Sequence, residues 1–118
     1  MSCDVTLPWP SAKLSPNASS PGVWRIKQGA AKKYRADCLI LAKAAKLRPN
    51  DTSGLSITFL PPDRRKRDLD GCLSRIKQGL DAIAEALGVD DSTFVRILLQ
   101  WGEVVKGGAV HIRIGGVS

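Results

Sequence analysis

Asp68 and Asp70 stand two residues apart in Arg67-Asp68-Leu69-Asp70, at the end of the basic run Arg64-Arg65-Lys66-Arg67. In an extended segment, residues i and i+2 project to the same side, so two carboxylates can converge on one cation. Mg²⁺ suits such a pair. It is a hard ion that prefers oxygen, keeps several waters, and is often held by one or two carboxylates plus a substrate phosphate. Mn²⁺ is expected to substitute. Phosphodiester hydrolysis needs a metal to activate water and neutralise charge on the phosphoryl oxygens. It also needs cationic side chains that hold the backbone in line. Each half has a plainer reading. An aspartate at a helix start caps free N–H groups, and a charged run can be a solvated loop. Their coincidence points to a Mg²⁺-dependent nuclease.

Two further features bear on that site. At about 100° per residue, Asp70, Ser74, Lys77 and Asp81 fall within about 60° of each other on a single helix. Lys77 could then reach a phosphate, the alternative being an i, i+4 ion pair with Asp81. Asp90-Asp91 lies just beyond that helix. A carboxylate from there joins the pair only if the fold brings it back or a second copy supplies it.

The 118 residues suffice for one domain, and 18 Lys and Arg against 11 Asp and Glu leave a net charge of +7. That balance favours a polyanionic partner. Cys3, Cys38 and Cys72 are widely spaced and His111 is the sole histidine, which argues against a zinc site or a disulfide framework. No charged start precedes an apolar stretch, and no apolar run reaches the roughly 20 residues of a membrane span. A cytoplasmic protein with no membrane partner is expected.

The elements that must position the acidic pair follow from periodicity. Val5–Pro10 reads as a short strand stopped by prolines. Residues 11–28 read as a flexible loop. A helix is expected over Gly29–Leu47, with Ala31, Tyr34, Cys38, Leu41 and Ala45 on one face. Leu55–Leu60 alternates as a half-buried strand. A second helix is expected over Asp70–Leu87, with a stripe of Leu69, Leu73, Ile76, Leu80, Ile83 and Leu87, ended by Gly88. Phe94–Val105 reads as a strand, Lys106-Gly107-Gly108 as a hairpin-type turn, and Ala109–Ile114 as a last strand. The order β-α-β-α-β-β predicts a single α+β domain with helices packed on a mixed sheet.

Pro62-Asp63-Arg64-Arg65-Lys66-Arg67-Asp68-Leu69-Asp70 closely resembles the signature of the RusA family of Holliday junction resolvases. Leu7-Pro8-Trp9-Pro10-Ser11, Leu14-Ser15-Pro16-Asn17, Lys33-Tyr34-Arg35, Asp90-Asp91-Ser92 and Lys106-Gly107-Gly108 extend the likeness along the chain. The resemblance implies a homodimer that makes paired symmetric nicks in a four-way DNA junction. It implies Asp68, Asp70 and Asp91 as catalytic metal ligands, with Asp90 the alternative to Asp91. It implies Lys77 as the catalytic lysine, with Ser74 and Arg75 as alternatives, and Arg67 as a contact to DNA. Gly71 departs from the family's usual asparagine and is expected to weaken the helix start. Arg64, Arg65 and Lys66, with Lys32, Lys33 and Arg35 on the first helix, are expected to contact phosphates. Arg25, Lys27, Lys43 and Lys46 would extend that surface. Trp24 and Tyr34 are candidates for base stacking, although ordinary packing is the stronger reading. His111 is expected to face outward from its strand. A non-catalytic DNA-binding module, or a nuclease for other branched DNA, are the alternatives.

Overall fold

Alternation of apolar and polar residues builds strand β2 (Gly54–Leu60). Its Leu55, Ile57 and Phe59 are fully buried, each worth roughly 1.5–3 kcal/mol relative to exposure. The computed structural model describes residues 3–10, 21–49 and 51–115; the side chains of residues 21–27 and of Asp91 lie outside that description. Strands β1 (Asp4–Pro8), β3 (Arg96–Trp101) and β4 (Ala109–Ile114) complete a four-stranded sheet in the order β1-β4-β2-β3. β4 is antiparallel to both neighbours, while β3 runs parallel to β2. The class is α+β with a mixed sheet, as the pattern predicts.

Among the described residues, three α-helices accompany the sheet: α1 (Pro21–Ala44), α2 (Leu69–Arg75) and α3 (Lys77–Leu87). Tyr34, Cys38 and Ala42 of α1 and Leu80 and Ile83 of α3 join Val5, Leu7, Val110 and Ile112 in one core. Gly79 lets the layers close. A Cβ there would lie 3.0 Å from Leu7, 3.1 Å from Tyr34 and 3.2 Å from Cys38. The opposite face of the sheet is largely polar, with Leu98 exposed on it. His111 turns outward there to Asp4 at 3.0 Å, and Gln100 donates to Thr58 at 2.8 Å. All three cysteines are free, and burial pushes the Cys38 thiol up to about 12. Among the described residues, no helix is long and apolar enough to cross a membrane.

The structure departs from the periodicity in three places. The first helix begins at Pro21 rather than Gly29. Residues 21–28, read as loop, are therefore helical, and residues 11–20 lie outside the described residues. Proline suits a first helical position because the N–H it lacks would be unpaired there anyway.

Secondly, the single helix expected over Asp70–Leu87 is two. Ile76, at φ −99 and ψ 10, closes α2 with a tight bond from its N–H to the Leu73 carbonyl and opens α3. The break buries Ile76 completely. It lets α2 lie toward β3 while α3 packs along α1. The stripe residues are all packed in or against the core, but the helical wheel that grouped Asp70 with Lys77 does not apply across the break.

Thirdly, Lys106-Gly107-Gly108 does not close a hairpin, since β3 and β4 lie on either side of β2. After Trp101 the chain crosses the end of β2. Gly102 donates to the Phe59 carbonyl, and a Cβ there would strike the Leu60 side chain. Val105 then donates to the Pro61 carbonyl. Gly107 and Gly108, at φ 80 and 71, turn the chain into β4 through a region that side chains disfavour. This crossing pins residues 101–108 beside the basic loop.

Candidate active site

Pro61 and Pro62 end β2, and the loop 63–67 that follows is organised by Asp63. Its carboxylate accepts from the Arg65 backbone N–H at 2.9 Å and meets the Arg67 guanidinium at 2.8 Å. Those contacts, the backbone bond first, hold the Asp63 carboxyl below its usual range. Arg67 also donates to the carbonyls of Asp63 and Arg65 and lies 5.4 Å above the Trp9 ring. Its side chain is only 16% exposed. Arg67 therefore holds the loop together, a structural role that its expected contact to DNA did not include. Arg64, Arg65 and Lys66 are exposed.

Asp68 is the N-cap of α2, at φ −107 and ψ 151, and accepts from the Gly71 N–H. Gly71 has a local reason: a Cβ there would lie 2.5 Å from the Asp68 Oδ1. The expected weakness of a glycine in the first turn is thus offset by a close cap. Asp70 is the second residue of the same helix and is exposed. Only Asp68 has strand-like backbone angles, so the alternation that predicted a shared side for the two carboxylates is replaced by their places in one helical turn. Both favour the positive end of the helix dipole. Among the described residues, the Asp70 carboxylate has no hydrogen-bond or ion-pair partner, and Asp68 has only its cap. The cations next door go to Asp63 instead.

The other predicted residues are dispersed. Lys77 opens α3 and is exposed. Its alternative partner, Asp81, is engaged by Arg35 at 2.9 Å. Ser74 donates to the Asp70 carbonyl at 3.2 Å. Asp91 begins a turn of 3₁₀ helix, Asp91–Thr93, that leads to β3, where Val95 donates to the Ser53 carbonyl. Asp68, by contrast, follows the far end of β2. The six steps of β2 span roughly 20 Å, so the crossover carries Asp91 toward the end of the parallel pair opposite Asp68. Among the described residues, no group of three His, Cys, Asp or Glu converges as a metal site, and the Asp91 side chain is outside them.

Lys32, Lys33 and Lys43 are exposed on α1, and Lys46 is exposed just beyond its end. Arg35 is not free for phosphate. It clamps α1 to α3 through Asp81 and Glu85, both at 2.9 Å. Arg35→Met is accordingly expected to lower the melting temperature modestly, since exposed ion pairs each contribute little to stability. Thermal unfolding of the variant beside the wild type checks this. Tyr34 is buried, with its hydroxyl donating to the Pro8 carbonyl at 2.8 Å, so it packs and does not stack on bases. The side chains of Trp24, Arg25 and Lys27 lie outside the described residues.

Sequence periodicity did not place Trp101 or Val104 beside the basic loop, nor join Arg75 to it. Arg75, from the last turn of α2, lines a cavity of about 470 Å³ with Trp9, Arg65, Lys66, Arg67 and Gly107. Trp101 and Val104 line a second one of about 250 Å³ with Pro61 and the loop itself. No local signal could have brought Trp101 and Val104 to the loop, because those contacts depend on the β3–β4 crossing.

No family model matches the chain. An "Uncharacterized protein" of Xylella fastidiosa strain Temecula1 is 40% identical over 124 residues, covering 97% of this chain and 76% of its own length. At that identity and coverage, the chain belongs to the same family as the Xylella protein.

Proposed function

We propose that the protein is a Mg²⁺-dependent, structure-specific DNA endonuclease that resolves four-way junctions by paired nicks as a homodimer in the cytoplasm. One observation carries this reading most. Two exposed carboxylates sit beside a dense cationic loop without pairing to it, because Asp63 absorbs the nearest guanidinium. Carboxylates placed only to neutralise the loop would be expected to close ion pairs with it.

Asp68 and Asp70 would hold the ion. The oxygen of Asp68 not used in capping, the free carboxylate of Asp70 and water fit an ion that takes few protein ligands. When bound, Mg²⁺ supplies an activated water and stabilises charge on the phosphoryl oxygens. Arg64, Arg65 and Lys66 hold the phosphodiester backbone, while Arg67 keeps their loop in shape. Lys77, on the helix that follows, provides a further cation for the scissile strand. The separation of Asp91 from Asp68 along the sheet favours a third carboxylate supplied by a second copy. A homodimer also offers the two sites that symmetric nicking requires.

The test is incubation of a labelled synthetic four-way junction with Mg²⁺, Mn²⁺, Ca²⁺ or EDTA. Symmetric nicks with Mg²⁺ or Mn²⁺ alone are expected. Junction binding without nicking in any metal would refute the enzyme and leave a DNA-binding module. Equal cutting of linear duplex would remove the structural specificity.

A further inference from the structure

Trp101 ends the edge strand β3 and, at 41% exposure, is a large aromatic left partly open to solvent. Phe59 supports it from within, with ring centroids 5.8 Å apart at 53°. Val104 and Pro61 complete a mainly apolar floor, and Arg64, Arg65 and Lys66 line the rest together with the paired Asp63 and Arg67. The cavity of about 250 Å³ falls below the roughly 300–1,000 Å³ typical of whole small-molecule sites. It suits one flat ring system better than an extended ligand. Across the loop, the larger cavity carries Arg65, Lys66, Arg67 and Arg75 and no carboxylate in its lining. Arg75 is half-buried, and neither it nor Lys66 has an ion-pair partner among the described residues. Crowded like charges of this kind favour an anion. An aromatic floor on one side of the loop and, on the other, a cationic hollow in which Lys66 and Arg75 have no ion-pair partner among the described residues match the two halves of a nucleotide.

We propose that Trp101 and the basic loop form a subsite for one unpaired nucleotide, the base stacking over Trp101 and Val104 and the adjoining phosphate lying against Lys66 and Arg75. A base inside a duplex cannot present its face to a side chain. The subsite therefore reads the unpaired nucleotides of a branched or single-stranded substrate. This rests on the reading of the protein as acting on DNA, but it requires neither metal nor cleavage.

The experiment is metal-free. Full-length protein in EDTA is titrated with an oligothymidylate of about ten nucleotides, within the range that single-strand sites occupy, and with a blunt duplex of equal length. Tryptophan emission and affinity are followed. The oligothymidylate should quench emission in the wild type, and Trp101→Phe should lack that component, although Trp9 and Trp24 remain. Trp101→Ala should bind about 5- to 100-fold more weakly, the worth of one stacked base. Lys66→Gln and Arg75→Gln should flatten the salt dependence yet retain the quench at saturation. Far-ultraviolet circular dichroism on each variant keeps misfolding apart from lost binding. Equal quenching in wild type and Trp101→Phe, or equal quenching by the duplex, would overturn the subsite. So would Trp101 emission that shifts with protein concentration alone, which would assign this face to a second copy of the chain. Quenching without junction cleavage would remove the nuclease and keep the subsite; cleavage without quenching would do the reverse.

Discussion

Asp70→Asn is expected to stop nicking of a four-way junction while leaving junction binding and folding unchanged. The Asp70 carboxylate is exposed and makes no hydrogen bond or ion pair among the described residues, so its loss costs the fold only a small helix-dipole contribution. Losing a metal-holding carboxylate removes several kcal/mol of transition-state stabilisation. About 4 kcal/mol corresponds to roughly a thousandfold in rate. Asp68 makes the informative contrast because it already has a structural task as the cap of α2. Asparagine caps about as well as aspartate, whereas alanine costs about 1 kcal/mol. Asp68→Asn should therefore lose cutting at nearly wild-type stability, and Asp68→Ala should lose both. If Asp68→Asn cuts normally, the cap is the whole role of that residue. Single-turnover cleavage with saturating enzyme, read beside thermal unfolding, separates these outcomes.

Phe59→Ala is expected to produce the largest loss of stability. The ring is fully buried in the central strand and touches both aromatic neighbours of the basic loop, Trp9 at 6.3 Å and Trp101 at 5.8 Å. Truncation of a core phenylalanine costs about 3–5 kcal/mol, a large share of the roughly 5–15 kcal/mol that holds a domain together. At roughly 4 °C per kcal/mol for a chain of this size, the melting temperature should fall by about 12–20 °C. Phe59→Leu retains more of the packed volume and should fall between the two. Below its transition, Phe59→Ala should still bind DNA more weakly than the wild type, because Trp9 under Arg67 and Trp101 beside Arg64 both lose their support. A binding titration at low temperature, paired with a melting curve, checks this. A drop of only a few degrees would show that the centre of the sheet is less closely packed than its burial implies.

Much of the architecture follows from local pattern. The alternation in Leu55–Leu60 and Ala109–Ile114 locates both central strands, and Gly88 ends α3 in the left-handed conformation expected of it. Patterns of this kind are readable because side-chain period and burial are set by a few neighbouring residues. The break at Ile76 is less readable, since an apolar stripe looks the same whether its helix is continuous or turned once. Arg35 and Arg67 are likewise plain cations in sequence. Only their carboxylate partners, 46 residues away in Asp81 and four away in Asp63, make them structural.

By itself, the sequence determined the α+β class, the outward face of His111 and the candidacy of Arg67-Asp68-Leu69-Asp70, because residue type and short spacing are enough for each. Only the tertiary structure decided that Asp63 takes the nearest guanidinium and leaves Asp68 and Asp70 clear of the cations beside them. It alone carried Asp91 toward the other end of the sheet. It also brought Trp101 and Arg75 to opposite sides of the basic loop. The physical reason is the crossing of β3 to β4 over the end of β2. It joins residues more than 40 positions apart through backbone bonds such as Val105 to Pro61, which no local spacing encodes.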